Sequence, residues 1–186
     1  VQPRGSEFGC ARRVIVEIDD QLRYTEGVNG GCHGYFDNFA GLLGVAQTIA
    51  PMWGDLKAVD YVDQYIDRAV VYAMDDSRNH WQTPYETELR RRGDCEDYAI
   101  AKAAVLHAAG YDIKLLHVTT SSGEAHMVAT VSIQGVQYVL DNVADTQKLS
   151  NRDDLRINLV YVTQDGLTYT PSVEDSYYDK TVTSAE

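Results

Sequence analysis

Residues 93–110 read GDCEDYAIAKAAVLHAAG, and the chain changes period immediately after them. Asp94 is a good helix N-cap, and Asp97 three residues on completes the pattern of a capping box. The Ala-rich interior favours helix, and Gly110 is a natural stop. A helix over Cys95–Ala109 is therefore expected, with Cys95, Ala99, Ala103 and Leu106 on one face. From Ile113 onward apolar residues alternate with polar ones. Segments 113–119, 125–133, 136–140 and 157–162 read as strands, Gln134-Gly135 fits a two-residue hairpin turn, and Asp165-Gly166 is a second turn leading into 167–170. Helices followed by an antiparallel sheet make an α+β fold.

Upstream, 56–74 carries Val59, Val62, Ile66, Ala69, Val70 and Ala73 at helical steps, so one amphipathic helix is expected there. The stretch DDSRNHWQTP (75–84) reads as a loop, because Pro84 disfavours helix at Thr83. Residues 24–50 are Gly-rich and read as a loop followed by a short apolar helix over 36–49, with Pro51 as its boundary. VQPRGSEF (1–8) reads as a vector-derived remnant outside the fold. A single domain over 9–170 and a mobile acidic tail over 171–186 complete the organisation.

Composition narrows the function classes. Among 186 residues, 44% are hydrophobic, enough for a core. No apolar run is long enough to cross a bilayer. Twenty-eight acidic against 16 basic residues give a net charge of −12, which argues against nucleic-acid and anionic-lipid partners. Three cysteines are present. Cys10 and Cys32 are compatible with a disulfide that leaves Cys95 free, or all three are reduced thiols. Cys10, Cys32 and His33 are too few for a zinc site. Arg92-Gly93-Asp94 is an integrin tripeptide that short sequences match by chance.

Cys95 falls in the first helical turn, where unpaired N–H groups and the helix dipole favour a thiolate and can stabilise an oxyanion. A small buried thiol on an Ala-rich face is the plainer alternative. In the hairpin about Gln134-Gly135, Ile133 faces Val136, Val131 faces Tyr138 and Ala129 faces Leu140. His126 and Asp141 then become diagonal cross-strand neighbours, about 7–8 Å apart along the backbone. A carboxylate there would orient the imidazole. The plainer alternative is a structural His–Asp pair. His33, His80, His107 and His117 are competing histidines. The same register leaves the more apolar hairpin face opposite His126 and Asp141, so the sheet needs cover on both sides.

Asp94, Glu96 and Asp97 flank Cys95, with Asn142 and Asp145 expected near the same end. Clustered carboxylates raise a thiol pKa, and a bound Ca²⁺ would remove that conflict. Helix capping by Asp94 and Asp97, with Glu96 solvated, accounts for the same residues.

The stretches HWQTPYETELRRRGDCEDYAIAKAAVLHAAG (80–110), EAHMV (124–128) and YVLDN (138–142) resemble the bacterial transglutaminase-like cysteine proteinase family, with coverage from about Leu56 to Val162. The resemblance implies a papain-like fold and matches Cys95, His126 and Asp141 to the family's catalytic Cys, His and Asp. Its LapG-like branch consists of periplasmic, calcium-dependent endopeptidases that cleave large surface adhesins and so release biofilm cells. In that branch an inner-membrane cyclic-di-GMP receptor sequesters the enzyme. Acidic residues beside the catalytic cysteine bind calcium there, and Asp94, Glu96 and Asp97 match that stretch. The resemblance thus implies Ca²⁺, no organic cofactor and a protein substrate. The same triad would serve a transglutaminase or amidase, and the same groove would serve a catalytically silent peptide-binding module.

Overall fold

A computed structural model describes residues 13–18, 21–26, 37–75, 80–162 and 168–171, with side chains described for 41–75 and 80–162. The elements are β1 (Arg13–Ile18), β2 (Gln21–Glu26), α1 (Asp37–Trp53), α2 (Asp55–Ala69), β3 (Val71–Tyr72), α3 (Pro84–Arg90) and β4 (Arg92–Gly93). They continue with α4 (Cys95–Ala108), β5 (Asp112–Thr120), β6 (Ala125–Ile133), β7 (Val136–Asp141), β8 (Ala144–Lys148), β9 (Leu155–Val162) and β10 (Thr168–Pro171). Among the described residues the strands form one eight-stranded sheet, ordered β2-β1-β10-β9-β5-β6-β7-β8, and a separate β3–β4 ribbon. Within the large sheet the β1–β10 pair is parallel and the other pairs are antiparallel.

The helix expected from Cys95 is present, and it ends one residue earlier than expected, at Ala108. Gly110, at φ 95°, takes the left-handed conformation that stops it. The hairpin register is as expected: Ile133 pairs Val136, Val131 pairs Tyr138 and Ala129 pairs Leu140. Gln134 and Gly135 both have positive φ, 52° and 79°, as a type I′ turn requires.

Four expectations need correction. Pro51 lies inside α1 rather than bounding its helix. Near a helix end its missing N–H removes a single bond, and the break comes at Gly54, whose φ is 91°. The helix from 56 stops at Ala69 rather than Met74, because Val70 is extended and Val71–Tyr72 pair with Arg92–Gly93. The loop before Cys95 contains α3, started by a capping box in which Thr83 and Glu86 serve each other's backbone N–H, with Pro84 in the first turn. The strand β8 escaped the alternation pattern. The Asp165-Gly166 turn, Cys10, Cys32, His33 and the tail from 172 lie outside the described residues.

Both faces of the sheet are covered. Met127, Ala129, Val131 and Leu140 pack with Val59, Val62 and Ile66 of α2 and Ala99, Ala103 and Leu106 of α4. On the opposite face Leu116, Val118, Val128, Val139 and Val160 form a second core with Leu149 and Leu155. Leu149 lies in a single 3-10 turn after β8, and Leu155 opens β9. This second core supplies the cover that the hairpin alternation required.

Candidate active site

The short strand β4 delivers the chain into α4. Gly93 is required there, since a Cβ would run into the Asp97 carboxylate. Asp97 is fully buried and ties two segments together. Its Oδ1 accepts the Gln82 N–H at 2.7 Å, and its Oδ2 accepts from the Gln82 side chain and from the Asp94 N–H at 3.2 Å. Burial pushes the Asp97 carboxyl up to about 7 against those N–H bonds, with the charge of Glu96 adding to the rise. Asp97 thus acts as a cap and clamp for the first turn of α4, and its oxygens are already engaged.

Cys95 is half-buried at the first position of α4. Its thiol donates to Glu96 Oε2 at 3.1 Å, and the sulfur accepts the backbone N–H of Met127, the residue after His126. Burial pushes the thiol well up, Glu96 pushes further by charge and hydrogen bond, the Met127 N–H opposes the rise, and Asp94 adds to it. Asp94 is itself pushed up to about 8, first by burial, then by Glu96 and Asp97. Its buried Oδ1 has no hydrogen-bond partner.

The hairpin brings His126 to Asp141. His126 Nε2 lies 2.9 Å from Asp141 Oδ1, which also accepts the Val143 N–H at 3.1 Å. The other oxygen, Oδ2, accepts from Arg152 Nη1 at 2.9 Å. Arg152 is in turn forked onto Asp154 by two bonds of 2.8 Å. Burial of Asp141 opposes its charge, but the hydrogen bond and charge of His126, then Arg152 and the Val143 N–H, outweigh it and hold the carboxyl below its ordinary range. Sequence reading missed Arg152. In the run NRDDLR (151–156) it reads as a solvated turn residue, and no periodicity marks a partner eleven residues back, at the end of β7.

The other described histidines are placed elsewhere. His80 Nε2 lies 3.3 Å from Glu86 Oε1, His107 is in the last turn of α4, and His117 pairs Met127 across β5 and β6. Asn142 and Asp145 do not join the carboxylates beside Cys95. With Asp63 and Asp67 of α2 they line a separate cavity of about 340 Å³. Beneath it Lys102 of α4 is buried, with Nζ 2.6 Å from both Asp63 and Asp67. Among the described residues no three His, Cys, Asp or Glu side chains already converge as a metal site.

A family model described as bacterial transglutaminase-like cysteine proteinase (BTLCP) matches residues 43–162, which includes part of α1 upstream of Leu56. The calcium-bound structure of Legionella pneumophila LapG is similar at a TM-score of 0.60 and 22% identity, covering 70% of this chain and 75% of that one. Its EGTA-treated form gives 0.58 and 21%, covering 78% and 83%. At such identities the likeness establishes a shared fold. A UPF0252 protein of Archaeoglobus fulgidus is 32% identical over 79 residues, 42% of this chain. That match spans a quarter of the relative's length.

Proposed function

The chain belongs to the bacterial transglutaminase-like cysteine proteinases, a family of cysteine peptidases, and from that premise we propose that it is a calcium-dependent endopeptidase with a Cys95–His126–Asp141 triad. The observation that carries this reading is the His126 Nε2 to Asp141 Oδ1 bond beside a strand whose next N–H, that of Met127, meets the Cys95 sulfur. With Nε2 held by a carboxylate, Nδ1 is the nitrogen left to take the thiol proton. Cys95 Sγ then attacks the scissile carbonyl, and the proton passes from His126 to the leaving amine. Water, deprotonated by the same imidazole, hydrolyses the thioester. Asp141 fixes the ring and stabilises its charged form, and Arg152 keeps Asp141 ionised. Backbone N–H groups at the start of α4 are suited to the oxyanion.

Burial first, and then Glu96, push this thiol up and work against the thiolate. The fit of calcium rests on Asp94 and Glu96: an orphaned buried carboxylate oxygen beside a second carboxylate. Those two residues would hold the ion, with Asp97 positioning their turn and carbonyls and water completing the shell. Bound there, the ion would supply positive charge that favours the Cys95 thiolate. The likeness to LapG supports a periplasmic setting, a large surface adhesin as the protein substrate, and regulation by an inner-membrane cyclic-di-GMP receptor. Residues 9–170 form the single catalytic domain in this reading.

Alkylation of the thiols by iodoacetamide, with calcium and with chelator, tests it. Cys95 is expected to label faster than Cys10 and Cys32 in calcium. His126→Ala and chelator should each slow it by about 10²-fold or more, the contribution of a positioned base. Equal labelling of all three cysteines in both conditions would remove the peptidase reading.

A further inference from the structure

The ribbon that precedes Cys95 leaves the outer edge of β3 without a strand partner among the described residues. Val71 N–H donates to the Arg91 carbonyl at 2.9 Å and Ala73 N–H to the Gly93 carbonyl at 2.8 Å. Backbone groups alternate sides along a strand. The N–H and C=O of Tyr72, between them, therefore point to the outer edge of β3. Among the described residues no strand pairs with that edge.

This edge is apolar and exposed: Val71 is 69% accessible, Tyr72 53% and Met74 78%. It is also beside the nucleophile. Tyr72 is in register with Gly93, two positions before Cys95. The Tyr72 phenol is pushed up by burial and then by the charges of Cys95, Asp94, Glu96 and Glu124. Glu124 belongs to the turn entering β6, and its charge acts on the same phenol.

We propose that the outer edge of β3 is the substrate rail: an extended polypeptide pairs with the main chain of Tyr72 and sets a non-acidic, apolar side chain against its ring. The occupant follows from continuity with Cys95, since this edge lies one strand from β4, which delivers Cys95 to the start of α4. It follows also from charge, because Glu124, which holds no ion in this reading, acts on the Tyr72 phenol and disfavours an acidic residue at that position. The inference rests on the endopeptidase reading and names how its substrate is held.

The test uses the calcium-loaded protein and a peptidyl fluoromethyl ketone, with an apolar residue beside the reactive carbon, as the probe. Each backbone amide of the probe is N-methylated in turn, and iodoacetamide serves as a probe that needs no rail. Tyr72→Ala is expected to slow peptide labelling of Cys95 by about tenfold, through the half-saturation concentration rather than the limiting rate. Tyr72→Phe should stay within about twofold, and one N-methyl position should cost about tenfold in the wild type. An acidic residue in place of the apolar one should label more slowly. If Tyr72→Ala and every N-methyl probe label within about twofold of the parent while iodoacetamide still selects Cys95, the rail is wrong and the peptidase reading stands. If iodoacetamide does not select Cys95, both fall.

Discussion

Asp141 shows how one side chain is held for its task. Three donors meet its two oxygens, and the cationic one, Arg152, is only 5% accessible. Removing one partner of a buried charge pair leaves the other unpaired, so Arg152→Ala should cost about 3–5 kcal/mol in urea unfolding. The pH dependence follows from the depressed Asp141 carboxyl. A carboxyl held below its unfolded value stabilises the protein above that value, about 3.9. That contribution is lost as pH falls through the folded pKa. Without Arg152 the folded pKa rises toward the unfolded one, so the variant should begin to lose stability at higher pH on acidification. An unfolding midpoint series from neutral to acid pH checks this, and a variant that tracks the wild type would assign Arg152 no part in ionising Asp141. The His126–Asp141 pair was legible in sequence, because a positive-φ turn fixes a hairpin register and a register fixes cross-strand neighbours. Arg152 was not legible, since its contact joins a turn to a strand with no repeating pattern on either side.

At the scale of elements, the segment from Trp81 to Cys95 works as a frame for Cys95. Thr83 caps α3, and Thr83→Ala should cost about 1 kcal/mol. Gly93→Ala acts differently: its Cβ would force the Asp97 carboxylate away from Gln82 and Asp94. We expect a loss of about 1–3 kcal/mol from overpacking, together with slower alkylation of Cys95, a readout Thr83→Ala should leave nearly unchanged. Equal effects of the two variants on the thiol would show that Gly93 has no special bearing on it. A second frame joins α2 to α4 through Lys102, Asp63 and Asp67. Burial pushes Asp67 up to about 6 despite Lys102, with Asp63 and Asp141 adding to the rise. The folded protein therefore binds this proton more tightly than the unfolded chain, and Asp67 favours folding more as pH falls from about 6 toward 3.8. Asp67→Asn should remove that part of the pH dependence, as urea midpoints across the same window would reveal. The long helix α4 was legible from its Asp94 and Asp97 capping box, its Ala-rich interior and the Gly110 stop, and strands β5–β7 because a period of 2 persists for many residues. The frame was not: α3 has seven residues, and its only signal is the local Thr83-Pro84 and Glu86 pattern. The end of α2 was hidden because Val70 and Ala73 continue an apolar stripe that a strand at Val71–Tyr72 satisfies equally.

Over the whole molecule, a net charge of −12 makes any added cation mildly stabilising through screening. A calcium effect must therefore be separated from that background. A ligand that binds only the folded state contributes about 2.7 kcal/mol at a hundred times its Kd. For a chain of this size that corresponds to a rise in Tm of about 5–10 °C. Magnesium at equal ionic strength should supply only the screening part, because it demands near-octahedral geometry and keeps its waters, whereas calcium tolerates an irregular carboxylate pair. Asp94→Asn and Glu96→Gln should each abolish the excess of calcium over magnesium and keep the shared response. Without metal, Asp94→Asn should itself stabilise the fold at neutral pH, since it replaces a buried carboxylate pushed up to about 8 with a group that carries no charge. These two results together would identify the carboxylates as a site strained for an ion. If calcium and magnesium raise Tm equally in all three proteins, Asp94 is a helix cap, Glu96 is a buried acceptor for the Cys95 thiol, and the calcium reading falls.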